Sequence, residues 1–511
     1  MMASNALEGK PYAENPHARF DKGEVAPAAT PRRGSLLCEN SRREFIKGLG
    51  WSAAASLAAG CTGARGLGLT SGGKLCDFAV APMKRVRIGV LGLGRGASLA
   101  QSMSQIPGAE ITAICDINPV RLNGCRDALV RLGKRPPALY GEDGDSEAWK
   151  RLCDRDDIDV VYSVLPRELH GEVNVFALNA GKHVMQEVPG AYTLDECWAT
   201  VEAAEKNRRH CMMLENCCYG EVELLALNLA KQGMLGTIMQ AETEYTHDQR
   251  RTQFKPRDGK FWRIDRHIKR HGNYYPTHGM VPMTKCMDVN RGDRFDYLVS
   301  MESASQSFED YAREEFPPGD PRHDWKMTRG DINMTMIRTV KGRQVVVKHN
   351  VATPCPYSRG DMLIGTRGIF RAYPQLAITF ERRMDDGGGH AYFDKERLAE
   401  VREKYMHPLW RKGGEISRKA GGHGGMDFLM NLRWIYCLQQ GLPLDTNVYD
   451  LATWSSVVEL SERSVLGGSR PVDVPDFTSG GWKTQKPFEI VDIDMSKMDF
   501  GSGGVKEAVN V

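Results

Sequence analysis

A chain of 511 residues is longer than one hydrophobic core organises, so about two domains with tails are expected. A formal net charge of +3 lacks the basic excess of a nucleic-acid binder, and 26% charged against 41% hydrophobic residues is an ordinary globular balance. Downstream of Cys61 no apolar run approaches the roughly 18 residues of a membrane span.

Residues 1–40 are rich in Pro, Ala, Gly and charge without periodicity, which reads as a disordered leader. Ser41-Arg42-Arg43-Glu44-Phe45-Ile46-Lys47 then precedes a mild apolar stretch from Gly48 to Gly60, a pattern resembling a twin-arginine export signal over about 41–61. Leu57-Ala58-Ala59-Gly60-Cys61 also resembles a lipoprotein cleavage box, with Ala58 where Leu is usual, so a lipid anchor at Cys61 is an alternative outcome. Residues 1–83 are therefore read as leader, signal and linker of an exported protein, periplasmic or anchored to the membrane. The 13 cysteines show no C-x-x-C and no ligand spacing, and no metal is expected.

From Lys84 to Asn216 short apolar strands alternate with helical stretches, as in a doubly wound parallel sheet. Arg87 to Leu91 reads as a buried strand entering the turn Gly92-Leu93-Gly94-Arg95-Gly96-Ala97, which opens a helix. Gly92 permits the tight turn, Gly94 lets a pyrophosphate approach the backbone, and Ala97 lets helix and strand pack closely. The second strand ends in Asp116, 22 residues after Gly94, the spacing of a carboxylate on a ribose diol. Asp116 favours NAD over NADP; Arg121 keeps NADP as the alternative. A strand from Asp157 to Pro166 ends in the loop Arg167-Glu168-Leu169-His170, at the sheet edge where ligands bind. The next strand has its tip at Glu187-Val188-Pro189, and a further one ends at Asn216. Arg95, Gly96, the loop 167–170, Glu187, Val188 and Asn216 join the candidate cofactor contacts.

After Tyr219 a helix from Glu221 to Gln232 leads into β-rich segments, Ile238–Tyr245, Tyr297–Ser303, Asp331–Thr339, Gln344–Asn350, Asp361–Gly365 and Gly368–Tyr373. Their alternation predicts an antiparallel sheet with one covered face, and the other face is a candidate homodimer surface. Between them Arg250 to Arg294 reads as a long irregular stretch dense in Arg, His and Tyr. Helices are expected over Phe428–Gln440 and Val448–Leu466, with a loop tail from Pro471. The expected class is α/β: a Rossmann domain over 84–216, an α+β substrate domain with a mainly antiparallel open sheet over 217–470, and a tail over 471–511.

The order of glycine turn, Asp116, His170 and Glu187-Val188-Pro189, followed by a β-rich half, resembles the glucose–fructose oxidoreductase/inositol dehydrogenase (Gfo/Idh/MocA) superfamily. The second half resembles glycoside hydrolase family 109, the NAD-dependent α-N-acetylgalactosaminidases. It does so through Gly272-Asn273-Tyr274-Tyr275-Pro276-Thr277-His278-Gly279, Asn290 to Asp296, Pro356-Tyr357-Ser358-Arg359, Gly422 to Phe428 and Val472 to Thr478. The resemblance implies a redox-neutral reaction on a terminal α-N-acetylgalactosamine. C3 is oxidised while the hydride waits on a retained NAD, the acidified C2 proton is removed, and the aglycone is eliminated across C1–C2. Water then adds and the hydride returns. NAD-dependent glycosidases of this kind need no pair of carboxylates. An exported enzyme that keeps and recycles its nucleotide is consistent with a route that carries folded, loaded proteins.

The superfamily's sugar dehydrogenases resemble one another in Glu-Lys-Pro at the strand tip, where the lysine moves a proton; Val188 cannot. The titratable residues left are His278, Tyr275, Tyr219, Tyr245 and Tyr357. His278 is expected as the base near C3, Tyr275 as the group for the C2 proton or for holding the sugar, and Tyr219 as a further catalytic candidate. Family carry-over places the substrate against Tyr245, Arg263, Tyr275, Pro276, Thr277, His278 and Tyr357. Two departures stand out. The family's Trp-x-x-His loop is here Arg167-Glu168-Leu169-His170, and its Gly-Leu-Gly-Pro is Gly279-Met280-Val281-Pro282. The competing readings are an exported NAD(P)-dependent sugar oxidoreductase, against which Val188 speaks, and a carbohydrate-binding protein without turnover, against which Tyr275 and His278 speak.

Overall fold

Residues 74–384, 389–501 and 504–508 are described in a computed structural model, and they build two sheets. The twin-arginine segment and Cys61 lie outside the described residues. Six parallel strands form the first sheet: β1 (Val86–Leu91), β2 (Ala109–Cys115), β3 (Ala138–Tyr140), β4 (Val160–Ser163), β5 (His183–Gln186) and β6 (Cys211–Met213), in the order β3-β2-β1-β4-β5-β6. β4 and β5 are buried at every position, as strands covered on both faces must be. The strand order reverses between β1 and β4, so the crevice beside Gly92 and the loop after β4 is the binding edge.

The second sheet has eight strands: β7 (Ile238–Thr246), β8 (Phe295–Glu302), β9 (Ile332–Thr339), β10 (Gln344–Asn350), β11 (Met362–Gly365), β12 (Gly368–Arg371), β13 (Ala377–Phe380) and β14 (Val472–Asp473). The order is β13-β12-β11-β7-β10-β9-β8-β14, antiparallel except for the β7/β10 pair. β9 alternates strictly, with Asn333, Thr335 and Ile337 inward and Met334, Met336 and Arg338 outward.

Three features differ from the sequence reading. The stretch 250–294 contains a buried helix, Thr277–Cys286, whose Gly279 lets it lie directly on β7: a Cβ there would sit 2.5 Å from the Glu244 carbonyl oxygen. The helices Met426–Gln440 and Val448–Leu466 return to the first sheet, where Trp434 meets Tyr162 and Ser455 meets Met213. The tail is more than loop. β14 extends the second sheet, Phe477 packs on Trp198 at 4.6 Å, and Phe488 and Ile493 are buried, because these apolar side chains hold the segment down.

Candidate active site

The glycine turn is shaped for a nucleotide. Gly92 has φ 83°, and a Cβ there would lie 2.6 Å from the Val164 carbonyl oxygen, so only glycine lets β1 turn beside β4. Around the Cβ position of Gly94 the space is open; the sole neighbour within 4 Å is Nη1 of Arg257, at 4.0 Å. This is the cradle a pyrophosphate requires. Asp116 is buried at the end of β2 and accepts from the Leu93 amide (2.7 Å), the Asn118 amide (2.8 Å) and two nitrogens of Arg121 (3.1 and 2.9 Å). These donors hold it rigidly beside the glycine turn.

At the other end of the cleft Arg95 lies 3.3 Å from Glu187 and 2.8 Å from Asp427. Asp427 also accepts from Asn216 Nδ2 (2.7 Å) and faces His423 Nδ1 (2.8 Å). Burial alone would raise its carboxyl, but Arg95, His423 and Asn216 overcome that and hold it well below the carboxylate range. Arg95, Glu187, Asn216 and Asp427 thus form one charged floor drawn from the first sheet and from the helix Met426–Gln440.

The proton-handling group is a three-membered relay. Glu215, just after β6, has its Oε1 2.7 Å from His278 Nδ1, and His278 Nε2 lies 2.9 Å from the Tyr275 hydroxyl. Burial pushes the Glu215 carboxyl up, yet the imidazole beside it wins and leaves it below its usual value. An anionic Glu215 accepts a hydrogen bond from the Nδ1–H, which leaves Nε2 bare to accept from Tyr275. Tyr275 and His278 stand three residues apart, at the start of the helix Thr277–Cys286, and Asn273 accepts the Tyr275 amide (3.2 Å) to fix the approach. Burial raises the Tyr275 phenol well above its usual value, while the Arg167 guanidinium, 4.2 Å over its ring, pulls the other way. Cys217 completes a donor group with Glu215 and His278, all within 4.8 Å, but burial keeps its thiol protonated and the other two are committed to each other.

Aromatic rings wall the space in front of Tyr275. Tyr245 meets Tyr275 edge-on at 4.9 Å, His278 at 5.3 Å and Tyr357 at 6.2 Å, and its hydroxyl touches His247 Nε2 (2.9 Å) and Gln249 (3.1 Å). Arg263 lies over the Trp262 ring, and its Nε is buried without a partner among the described residues. Burial, Arg167 and Arg257 together lower its pKa from the usual arginine value. A buried N–H without a partner is a donor open to a ligand oxygen.

Comparison with known proteins bears on this architecture. Residues 219–484 match the family described as glycosyl hydrolase 109, C-terminal domain, and residues 86–215 match the oxidoreductase family, NAD-binding Rossmann fold. A protein of Solibacter usitatus (strain Ellin6076) named glycosyl hydrolase family 109 protein is 43% identical over 452 residues, 88% of this chain and 99% of that one. The chain belongs to glycosyl hydrolase family 109. A second family member, from Shewanella sp. (strain ANA-3), is 42% identical with the same coverage. In fold, the family 109 chain is similar to a levoglucosan dehydrogenase solved with NADH and levoglucosan, at 19% identity, TM-score 0.58, and 76% coverage of this chain and 100% of that one. It is likewise similar to an NAD-binding oxidoreductase of Klebsiella pneumoniae, at 16% identity, TM-score 0.60, and coverage of 77% and 99%.

Within the family 109 chain, Tyr275, His278, Tyr245, Tyr357 and Arg167 converge, Arg263 shares the Trp262 ring with Arg167, and Pro276 and Thr277 open the helix that carries His278. Gly92, Gly94, Arg95, Asp116, Glu187 and Asn216 gather at the edge of the first sheet, Val188 is buried, and Gly96 faces inward, where a Cβ would lie 3.3 Å from the Val90 side chain, so it packs the helix on β1. Tyr219 does not join them. Its hydroxyl donates to Asp445 at 3.0 Å, deep in the core, and Asp445 is in turn paired with Arg433. His170 is turned inward as well, its nitrogens 2.7 and 3.0 Å from the carbonyl oxygens of Pro189 and Leu165, so it braces two strand tips. Glu168 faces out to Arg266 (2.6 Å), and Leu169 packs partly against the core. Sequence reasoning missed Glu215, Asp427, His247 and Gln249. The glycine-rich segment before Asp427 marked its neighbourhood; nothing local marked Glu215.

Proposed function

We propose that the chain is a glycosidase that removes terminal α-linked N-acetylgalactosamine by oxidation at C3, elimination across C1–C2, addition of water and reduction. When bound, NAD supplies the reversible acceptance of hydride, held by the glycine turn, Asp116 and the Arg95–Glu187–Asn216 floor. The observation that carries the reading is the Tyr275–His278–Glu215 relay standing where Val188 offers no base. Because both His278 nitrogens are engaged, Tyr275 is the group that meets the sugar. It takes a substrate proton as it yields its own to His278, and Glu215 steadies the charge that His278 acquires. Arg263 donates to the acetamido or a ring oxygen, and Tyr245 and Tyr357 flank the ring. The nucleotide is retained through turnover, as the redox balance of the route requires. Export by the twin-arginine route, with or without a lipid at Cys61, completes the reading.

The test is incubation of the full chain with p-nitrophenyl α-N-acetylgalactosaminide and no added redox acceptor. Chromophore release without net NADH is expected, and His278→Phe should keep nucleotide while losing turnover by about 10²-fold or more. Steady NADH formation from free sugar would instead make it an oxidoreductase, the reading its fold neighbours favour. Neither signal would leave a binding protein.

A further inference from the structure

The segment over the mouth of the cleft contains a two-residue hairpin. Arg257 and Lys260 exchange both backbone hydrogen bonds (2.9 and 3.0 Å), and the turn residues Asp258 and Gly259 have φ 49° and 72°, the left-handed pair a tight Asp-Gly turn uses. Its flanks are fixed by aromatic packing. Phe254 stacks on Trp325, and Phe261 meets the same indole edge-on at 5.0 Å. The hairpin therefore projects from an anchored base.

Its tip reaches the other half of the molecule in two places. Asp258 accepts from Arg121 Nη1 (3.1 Å) and Nη2 (2.9 Å), while Arg121 also grips Asp116 through Nε and Nη2. Four guanidinium N–H groups are thus directed at two carboxylates, and the trio carries one net negative charge. Arg257 Nη1, next in sequence, is the atom standing over Gly94. An arginine five residues after the ribose-binding acid would by itself invite a 2′-phosphate, since its donor fork matches one. Here that fork is already filled from the far side.

We infer that the Arg257–Lys260 hairpin is a clasp over the bound dinucleotide, in which Asp258 withholds Arg121 from a 2′-phosphate and Arg257 faces the pyrophosphate. The inference rests on the cofactor reading above and adds to it a determinant of cofactor choice and retention supplied by the substrate domain.

Direct nucleotide binding tests it, independently of glycoside cleavage. Full-length protein freed of nucleotide is titrated with NAD⁺ and NADP⁺, and release is followed by displacement of a fluorescent etheno-NAD⁺. Asp258→Asn should bind NADP⁺ at least 10-fold more tightly than the wild type, with NAD⁺ affinity changed less. Arg257→Gln should speed release about 5-fold or more without gaining NADP⁺ affinity. If the wild type binds NAD⁺ but Asp258→Asn and Arg257→Gln match it within 2-fold, the clasp is overturned and the cofactor reading stands. A wild-type chain that takes neither nucleotide would overturn the cofactor reading itself.

Discussion

Glu215→Gln is the sharpest probe of the relay. It keeps the shape and the hydrogen bond at 2.7 Å but removes the charge facing His278 Nδ1. A buried hydrogen bond to an ionised partner is worth about 1.5–3 kcal/mol against roughly 1 for a neutral one. If that difference, about 0.5–2 kcal/mol, falls on the step in which His278 becomes charged, turnover drops by about 2- to 30-fold. The sign of the pH effect follows from the carboxylate. Glu215 sits below its usual pKa, so it is anionic throughout the neutral range and loses that charge only on the acid side. With glutamine the part of the acid limb of the pH–rate profile that reports protonation of Glu215 should vanish. The assay is single-turnover chromophore release from pH 4.5 to 8.5, with bound nucleotide and Tm measured on the same sample to exclude misfolding. A folded, nucleotide-loaded Glu215→Gln variant with wild-type rate and an unmoved acid limb would refute the relay.

Three further outcomes are expected. Tyr219→Phe should lower stability by about 1–2 kcal/mol in calorimetry, through the lost hydrogen bond to Asp445, and leave turnover within about 2-fold; a collapse of turnover at unchanged Tm would return Tyr219 to the chemistry. Asp427 has a depressed carboxyl, so its contribution is present above its unfolded-chain value near 3.9 and lost as pH falls below it; the Tm deficit of Asp427→Asn should be full at pH 7 and shrink below about pH 4, and a deficit constant down to pH 3 would contradict the charged floor. The outer face of the second sheet exposes Met301, Met334 and Met336 at 61%, 41% and 51%, and a second copy is expected to cover it; light scattering should give a dimer mass that Met334→Lys/Met336→Lys reduces to a monomer.

The elements legible in the sequence were those whose signals are local. Val448–Leu466 appears with the bounds expected, begun by a capping box of Asn447 with Asp450, and Leu194–Asn207 is begun the same way by Thr193 with Glu196. The parallel strands showed as apolar runs, and β10 as an alternating one. The helix Thr277–Cys286 was hidden because it is buried all round and interrupted by Gly279 and Pro282, so no amphipathic stripe marks it. The site divides the same way. Tyr275 and His278 stood out as a motif, whereas Glu215 reaches His278 across 63 positions and Asp258 reaches Arg121 across 137, distances at which only the fold makes neighbours. Tyr219 misled because a titratable side chain carries no mark of which way it points.

The segment bearing the hairpin packs on a cluster of its own, with seven buried members that include Phe254, Ile264, Phe308 and Met327, apart from the large continuous core. A patch this small is expected to let go before either sheet does, and on the cofactor reading proposed above excursions of that segment would be the doorway for loading. On the export route proposed above, no pool would remain outside the cytoplasm from which to reload. The lifetime of the passenger is then set by how seldom the doorway swings, a frequency that amide hydrogen exchange across residues 254–264 reads directly.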